Sequence, residues 1–189
     1  MPGPAKDGGA APALAHGRII VPGTEHQLGT YGLFPPSAIQ QRVLTPGTVP
    51  LTARNAEPEL LWVRFADLFG GAATREDYQA LAEQHTTWVI DGVPDPAAVS
   101  ADKALGWIRF GEALEALSGR GRTLFLIGSR PLDWERGTAA WQGTGAPGTT
   151  GVPQTMGVPE AMAGIARRLA VLVRVESADE AAPEGISGS

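Results

Sequence analysis

Cysteine is absent from the 189 residues of this chain. That absence excludes disulfides, thiolate zinc sites and a cysteine nucleophile together, while fitting an oxidising or a reducing compartment equally well. Charge is also scarce, at 19 % of residues, and no dense Lys/Arg cluster occurs. Arg120 and Arg122, with Arg130 a little beyond, come nearest to one. At a net charge of −5 the chain lacks the basic face that phosphate neutralisation requires, so no nucleic-acid partner is expected. No apolar run approaches the roughly 18 residues of a membrane span. Met1–Gly17 has no apolar core of an export signal, and the cytoplasm is the expected location.

Several catalytic signatures are missing too. There is no GxxxxGKS/T run, hence no backbone nest for phosphates, no lysine for the terminal phosphate and no hydroxyl for magnesium. No GxGxxG follows a strand, and neither HExxH nor GxSxG occurs, which argues against dinucleotide, zinc-protease and serine-hydrolase chemistry of the usual kinds. The three histidines, His16, His26 and His85, are scattered. No metal and no cofactor is expected.

What is present is a core of ordinary size. Hydrophobic residues make up 43 %, and Gly 25 and Pro 16 add much loop, unevenly placed. Residues 1–17 are small and aperiodic and read as a disordered tail, as does the acidic stretch 176–189. A Gly/Thr/Pro-rich stretch at 137–158 reads as a flexible loop inside a single domain over 18–175.

Between these, Arg18–Val21 and Thr48–Ala53 are short β-like runs, and Leu60–Phe65 is an apolar, aromatic strand. Thr74 ahead of Arg75, Glu76 and Asp77 predicts a capped helix start, with Tyr78, Leu81 and Ala82 facing inward. Thr86–Ile90 predicts a buried strand ending on Asp91, and Pro94 and Pro96 keep Gly92–Ala101 from being helical throughout. Lys103–Leu117 predicts a helix with Leu105, Ile108, Ala113, Leu114 and Leu117 near the helical period. Leu124–Ile127 is a further apolar strand, and Pro159–Val173 a helix carrying Met162, Ile165, Leu169 and Leu172. Apolar strands alternating with helices predict an α/β fold. The expected sheet is small and mostly parallel, with right-handed βαβ units and helices on both faces.

Asp91 closes one apolar strand, and Ser129 and Arg130 close its expected neighbour. Ligands bind beyond the carboxyl ends of such strands, so these three form a candidate ligand crevice. Asp and Ser are also ordinary turn residues, and the turn reading stands ahead of the site reading. Trp62, Trp88 and Trp107 are expected core anchors whose indole N–H groups want partners. Trp134 and Trp141 lie in loop-like sequence, are expected to be exposed, and are candidate partner contacts.

The stretch from Gly47 to Asp133 resembles the C-terminal part of the AFG1/ZapE family of AAA+ ATPases. In that family an apolar strand leads into F-x-x-L-C, a helix with DY-x-x-LA, an HT strand running into VP, then a helix and a last strand. Here LLWVRFADLFGG supplies Phe65 and Leu68, with Phe69 in the cysteine's place. Asp77-Tyr78 and Leu81-Ala82 match the helix, Thr87 the HT strand, Asp91-Gly92-Val93-Pro94 the loop, and Leu124–Ile127 the last strand. Arg167-Arg168-Leu169 weakly resembles the closing SRL helix of the family. Two features depart from it. The ATP-handling half is missing, and Leu105-Gly106-Trp107 stands where the family carries two arginines and an aromatic.

Family members are ring-forming ATPases linked to bacterial cell division and mitochondrial membrane-protein quality control. The resemblance therefore implies a non-catalytic interaction module whose partner is a protein, either an AFG1/ZapE-type ATPase or a division or membrane protein. A split subunit that completes an ATPase whose P-loop half lies on another chain is the alternative. A small hydrolase or transferase using Asp91, Ser129 and Arg130, and a relic without function, remain open behind these.

Overall fold

The computed structural model describes residues 13–143 and 157–176. Residues 1–12 and 177–189, most of the two expected tails, and 144–156 of the expected loop lie outside the described residues.

The main sheet has six strands in the order β4-β5-β6-β7-β1-β8. They are β1 (His16–Ile20), β4 (Asn55–Ala56), β5 (Leu60–Arg64), β6 (Thr87–Val93), β7 (Thr123–Gly128) and β8 (Val173–Val175). All neighbours pair parallel except β4, which runs antiparallel to β5. A separate antiparallel hairpin joins β2 (Arg42–Leu44) to β3 (Leu51–Ala53).

Outside a bulge late in β6, side chains alternate across the sheet, as the two-residue strand period requires. Leu61, Val63, Trp88, Ile90, Leu124 and Leu126 belong to the larger core, while Trp62, Val89, Phe125 and Ile127 belong to the smaller. The larger core is covered by α2 (Phe65–Phe69), α3 (Arg75–Gln84), α4 (Ala101–Gly119), α5 (Trp134–Gly143) and α6 (Val158–Leu169). The smaller is covered by α1 (Glu25–Thr30) through Leu28, followed by Tyr31 and Leu33. The steps β5 to β6, β6 to β7 and β7 to β8 cross the sheet in one direction over the first face, and the return from β1 to β5 passes α1 on the opposite face. One crossover hand requires that pairing of direction and face.

The predicted start of α3 has a mechanism. Thr74 accepts from the Asp77 N–H, and the Asp77 carboxylate accepts from the Thr74 N–H at 2.8 Å, a reciprocal capping box. The predicted anchors Trp62, Trp88 and Trp107 are at most 1 % exposed. Phe65, Phe69, Trp107, Phe110 and Trp134 form a continuous aromatic cluster, with Trp107 edge-on to Trp134 at 5.7 Å.

Four expectations are corrected. Strand β6 runs through Asp91 to Val93, because Gly92 takes a positive φ of 66° and the ladder to β7 bulges between Ile90 and Val93. Leu105 faces outward; the buried stripe of α4 is Ala104, Trp107, Phe110, Ala113, Leu114 and Leu117. Residues 13–17 belong to the domain, with Leu14 buried and the Ala15 N–H bonded to the Arg122 carbonyl. Finally, Trp134 and Trp141 are buried side chains on a helix that covers the beginning of the expected 137–158 loop.

Candidate functional site

The chain leaves β1 toward one face of the sheet and the neighbouring β7 toward the other. The gap between their carboxyl ends is therefore the topological switch point, where doubly wound sheets hold ligands. Here it is closed from within. Gln27, buried on α1, accepts hydrogen bonds at Oε1 from the Gly23 and Thr24 N–H groups at 3.0 and 3.1 Å, while its Nε2 donates to the Val21 carbonyl at 3.0 Å. Thr24 returns the bond as the N-cap of α1. The Gly23, Thr24 and Gln27 amides of this turn are thus already satisfied, and Glu25 adds a negative charge beside them.

Asp91 lies on the same face as Trp62 and Val89, on β6, with β7 between it and that gap. Its Oδ2 accepts from the Trp62 indole N–H at 2.7 Å and is ion-paired with the Arg54 guanidinium. Arg54 also stands over the Trp62 ring, 5.9 Å from its centroid, and donates to the Pro36 carbonyl at 3.4 Å. The three side chains tie β5, β6 and the segment before β4 together. Both contacts fall on Oδ2, so this oxygen of Asp91 is shared between a buried donor and a cation.

Ser129 and Arg130 are exposed on the turn from β7 to α5, and no hydrogen bond of Asp91 reaches either. The bulge and the position of Trp62 turn the carboxylate toward β5 instead of β7. Among the described hydrogen bonds none joins the expected trio. What lies beside Arg54 is a cavity of about 230 Å³ bordered by Pro36, Ser37, Gln41, Arg64 and Asp67.

The other candidate residues are dispersed. His16 and His26 are exposed on β1 and α1. His85 is buried at the end of α3, with Nδ1 at 2.5 Å from the Glu57 carbonyl. A carbonyl only accepts, so Nδ1 carries a proton, and Nε2 has no partner among the described residues. No group of three or more potential metal ligands occurs among the described residues. Arg120 pairs with Glu83 at 2.6 Å and Arg122 donates to the Ala82 carbonyl at 2.7 Å, so these two brace α3 to the chain before β7. The Trp141 indole N–H donates to the Pro96 carbonyl at 3.0 Å, locking α5 to the loop after β6.

Sequence reasoning missed Gln27 and Arg54. The pattern Thr24-x-x-Gln27 is a capping-box signature and was readable. Arg54 carries no such local sign, because its partner lies on a distant strand. Among the described residues no helix is long and apolar enough to cross a membrane. Neither family models, curated proteins nor solved structures match this chain.

Proposed function

We propose that the chain is a non-catalytic protein-interaction module derived from an AFG1/ZapE-like ATPase, and that it docks its partner through the segment between α1 and β3. The observation that carries this reading is the concentration of exposed apolar side chains there. Phe34 is 74 % exposed, Ile39 88 % and Val43 67 %, while Leu33 beside them is buried. Single exposed apolar residues are ordinary; a run of large ones on one segment, flanked by Gln40, Gln41 and Arg42, is the pattern of a contact surface. The commitment of Asp91 to Trp62 and Arg54, the Gln27-filled turn and the lack of a P-loop sequence support the non-catalytic part.

The same exposed segment also favours a second reading, in which a separate chain carrying the P-loop half packs on it to complete an ATPase. Affinity capture from the protein's own host distinguishes the two. The wild-type chain is compared with a variant carrying Phe34→Ser, Ile39→Ser and Val43→Ser. A division or membrane protein retained by the wild type and lost by the variant supports the adaptor, and a P-loop ATPase in fixed proportion supports the split subunit. Equal capture by both chains, or nothing above background, overturns the docking segment.

A further inference from the structure

A second cavity, of about 320 Å³, opens between α2, the first turns of α4 and the end of β6. Its walls are Phe65 and Phe69 from α2, Gly92 at the bulge, and Leu105 and Gly106 from α4. It lies beyond the carboxyl ends of β5 and β6, and its volume and mostly apolar lining match those of small-molecule sites.

Two features of the sequence keep this space open at a cost to the fold. Gly106 sits in the interior of a helix, where glycine is unfavourable relative to alanine. Packing does not demand it, since an added Cβ would meet only ordinary contacts, Phe65 Cε1 at 3.5 Å and the Phe69 carbonyl oxygen at 4.0 Å. Leu105, next to it, remains 51 % exposed at the mouth of the cavity, although inward positions on the same helix are filled with large apolar residues.

The rim carries the charge. Lys103 lines the cavity and has no ion pair among the described residues. Arg109 lines it too, held by a bond from Nη1 to the Phe69 carbonyl at 3.2 Å, and Asp102 is the one acid present. Cations are in excess, and the positive end of the α4 dipole lies on the same side, where the Ser100 side chain makes no capping hydrogen bond.

We propose that this cavity binds a small monocarboxylate with an apolar body of aryl or branched-alkyl type. The body lies against Phe65, Phe69 and Leu105 over Gly106, and the carboxylate is directed to Lys103 at the N-terminal turn of α4. The assignment goes beyond the docking segment and does not depend on it, because residues 34–43 take no part in the cavity.

Amide-resolved NMR titration of the full chain with 3-phenylpropionate tests it, with 3-phenylpropionamide and 3-phenylpropylamine as neutral and cationic controls. The expected result is saturable shifts centred on Ala66, Gly70, Gly92 and Gly106, with the carboxylate favoured over the amide by about five-fold, the scale of one partly exposed ionic contact. Lys103→Gln is expected to bring the two to parity. Gly106→Leu should abolish the shifts with the remaining spectrum unchanged. Gly106→Ala, for which there is room, should weaken binding in a more thermostable chain if the leucine variant does not fold. Absence of saturable shifts, shifts centred elsewhere, or equal binding of the amine overturns the proposal.

Discussion

Replacing Asp91 by alanine removes the one acceptor shared by Trp62 and Arg54. Trp62 is 1 % exposed, so its indole N–H is left buried without a partner, a loss of about 1–3 kcal/mol. The Arg54 side chain keeps 29 % of its exposure, and water screens it once the ion pair is gone. That contact therefore adds no more than about 1 kcal/mol. The sum is about 1–4 kcal/mol, which for a urea slope near 2 kcal/mol per molar lowers the unfolding midpoint by about 0.5–2 M. The decisive comparison repeats the substitution in a Trp62→Phe background, where no N–H remains to be orphaned. There Asp91→Ala should cost about 1 kcal/mol or less, giving a coupling of about 1–3 kcal/mol between the two positions. A midpoint shift below about 0.5 M in the wild-type background, or equal shifts in both, would refute the assignment of Asp91 to a structural clasp.

Trp88→Ala, on the central strand β6 at 0 % exposure, should lower stability by about 3–5 kcal/mol in urea unfolding. Gly137→Ala should destabilise by about 1–3 kcal/mol instead of giving the usual helix gain. An added Cβ would stand 2.6 Å from Pro96 Cβ and 2.8 Å from Met162 Cε, and thermal unfolding gives the sign. Burial pushes the Tyr78 phenol above its ordinary value, so the unfolded chain releases the proton first as pH rises. The stability tied to Tyr78 should be intact below about pH 10 and decline above it by up to about 1.4 kcal/mol per pH unit. A Tyr78→Phe variant should lack that part of the decline, and identical alkaline profiles for the two chains would contradict it.

The legible parts of the fold were those with a local cause. LLWVRF, TTWVI and LFLI are apolar enough to be interior strands, and Thr74 with the acids after it marks a helix start whatever follows. The same local reasoning misplaced α5, because Gly137, Thr138 and Gly143 are weak helix formers and the segment reads as loop. Its signal lay elsewhere. Trp134, Gly137 and Trp141 share one helical face, and the Asp133 carboxylate accepts from the Arg136 N–H at 2.9 Å as a cap. Tertiary packing outweighs propensity there, with Trp134 packed on Trp107 and Phe110 of α4 and Trp141 bonded to the Pro96 carbonyl.

The candidate site was less legible for a related reason. Ser129 directly follows β7 as its sequence suggests, whereas Asp91 lies inside β6, and the face its carboxylate takes depends on a bulge and on a partner 37 residues away in sequence, Arg54. Neither is visible in a window of sequence. Leu105 was read inward because Ile108 follows at helical spacing, yet the buried stripe is set by Trp107 and Phe110 packing on Phe65.

On the function proposed above, the chain acts through contact and has no nucleotide site of its own. Calorimetric titration of the full chain with Mg-ATP, and separately with ADP, addresses it most directly. The account predicts no saturable heat with either nucleotide, because Gln27 occupies the Gly23 and Thr24 amides after β1 and the sequence has no P-loop run to supply a lysine and a hydroxyl. Stoichiometric binding of either nucleotide that is abolished by substitutions around Gly23 and Thr24 would contradict it.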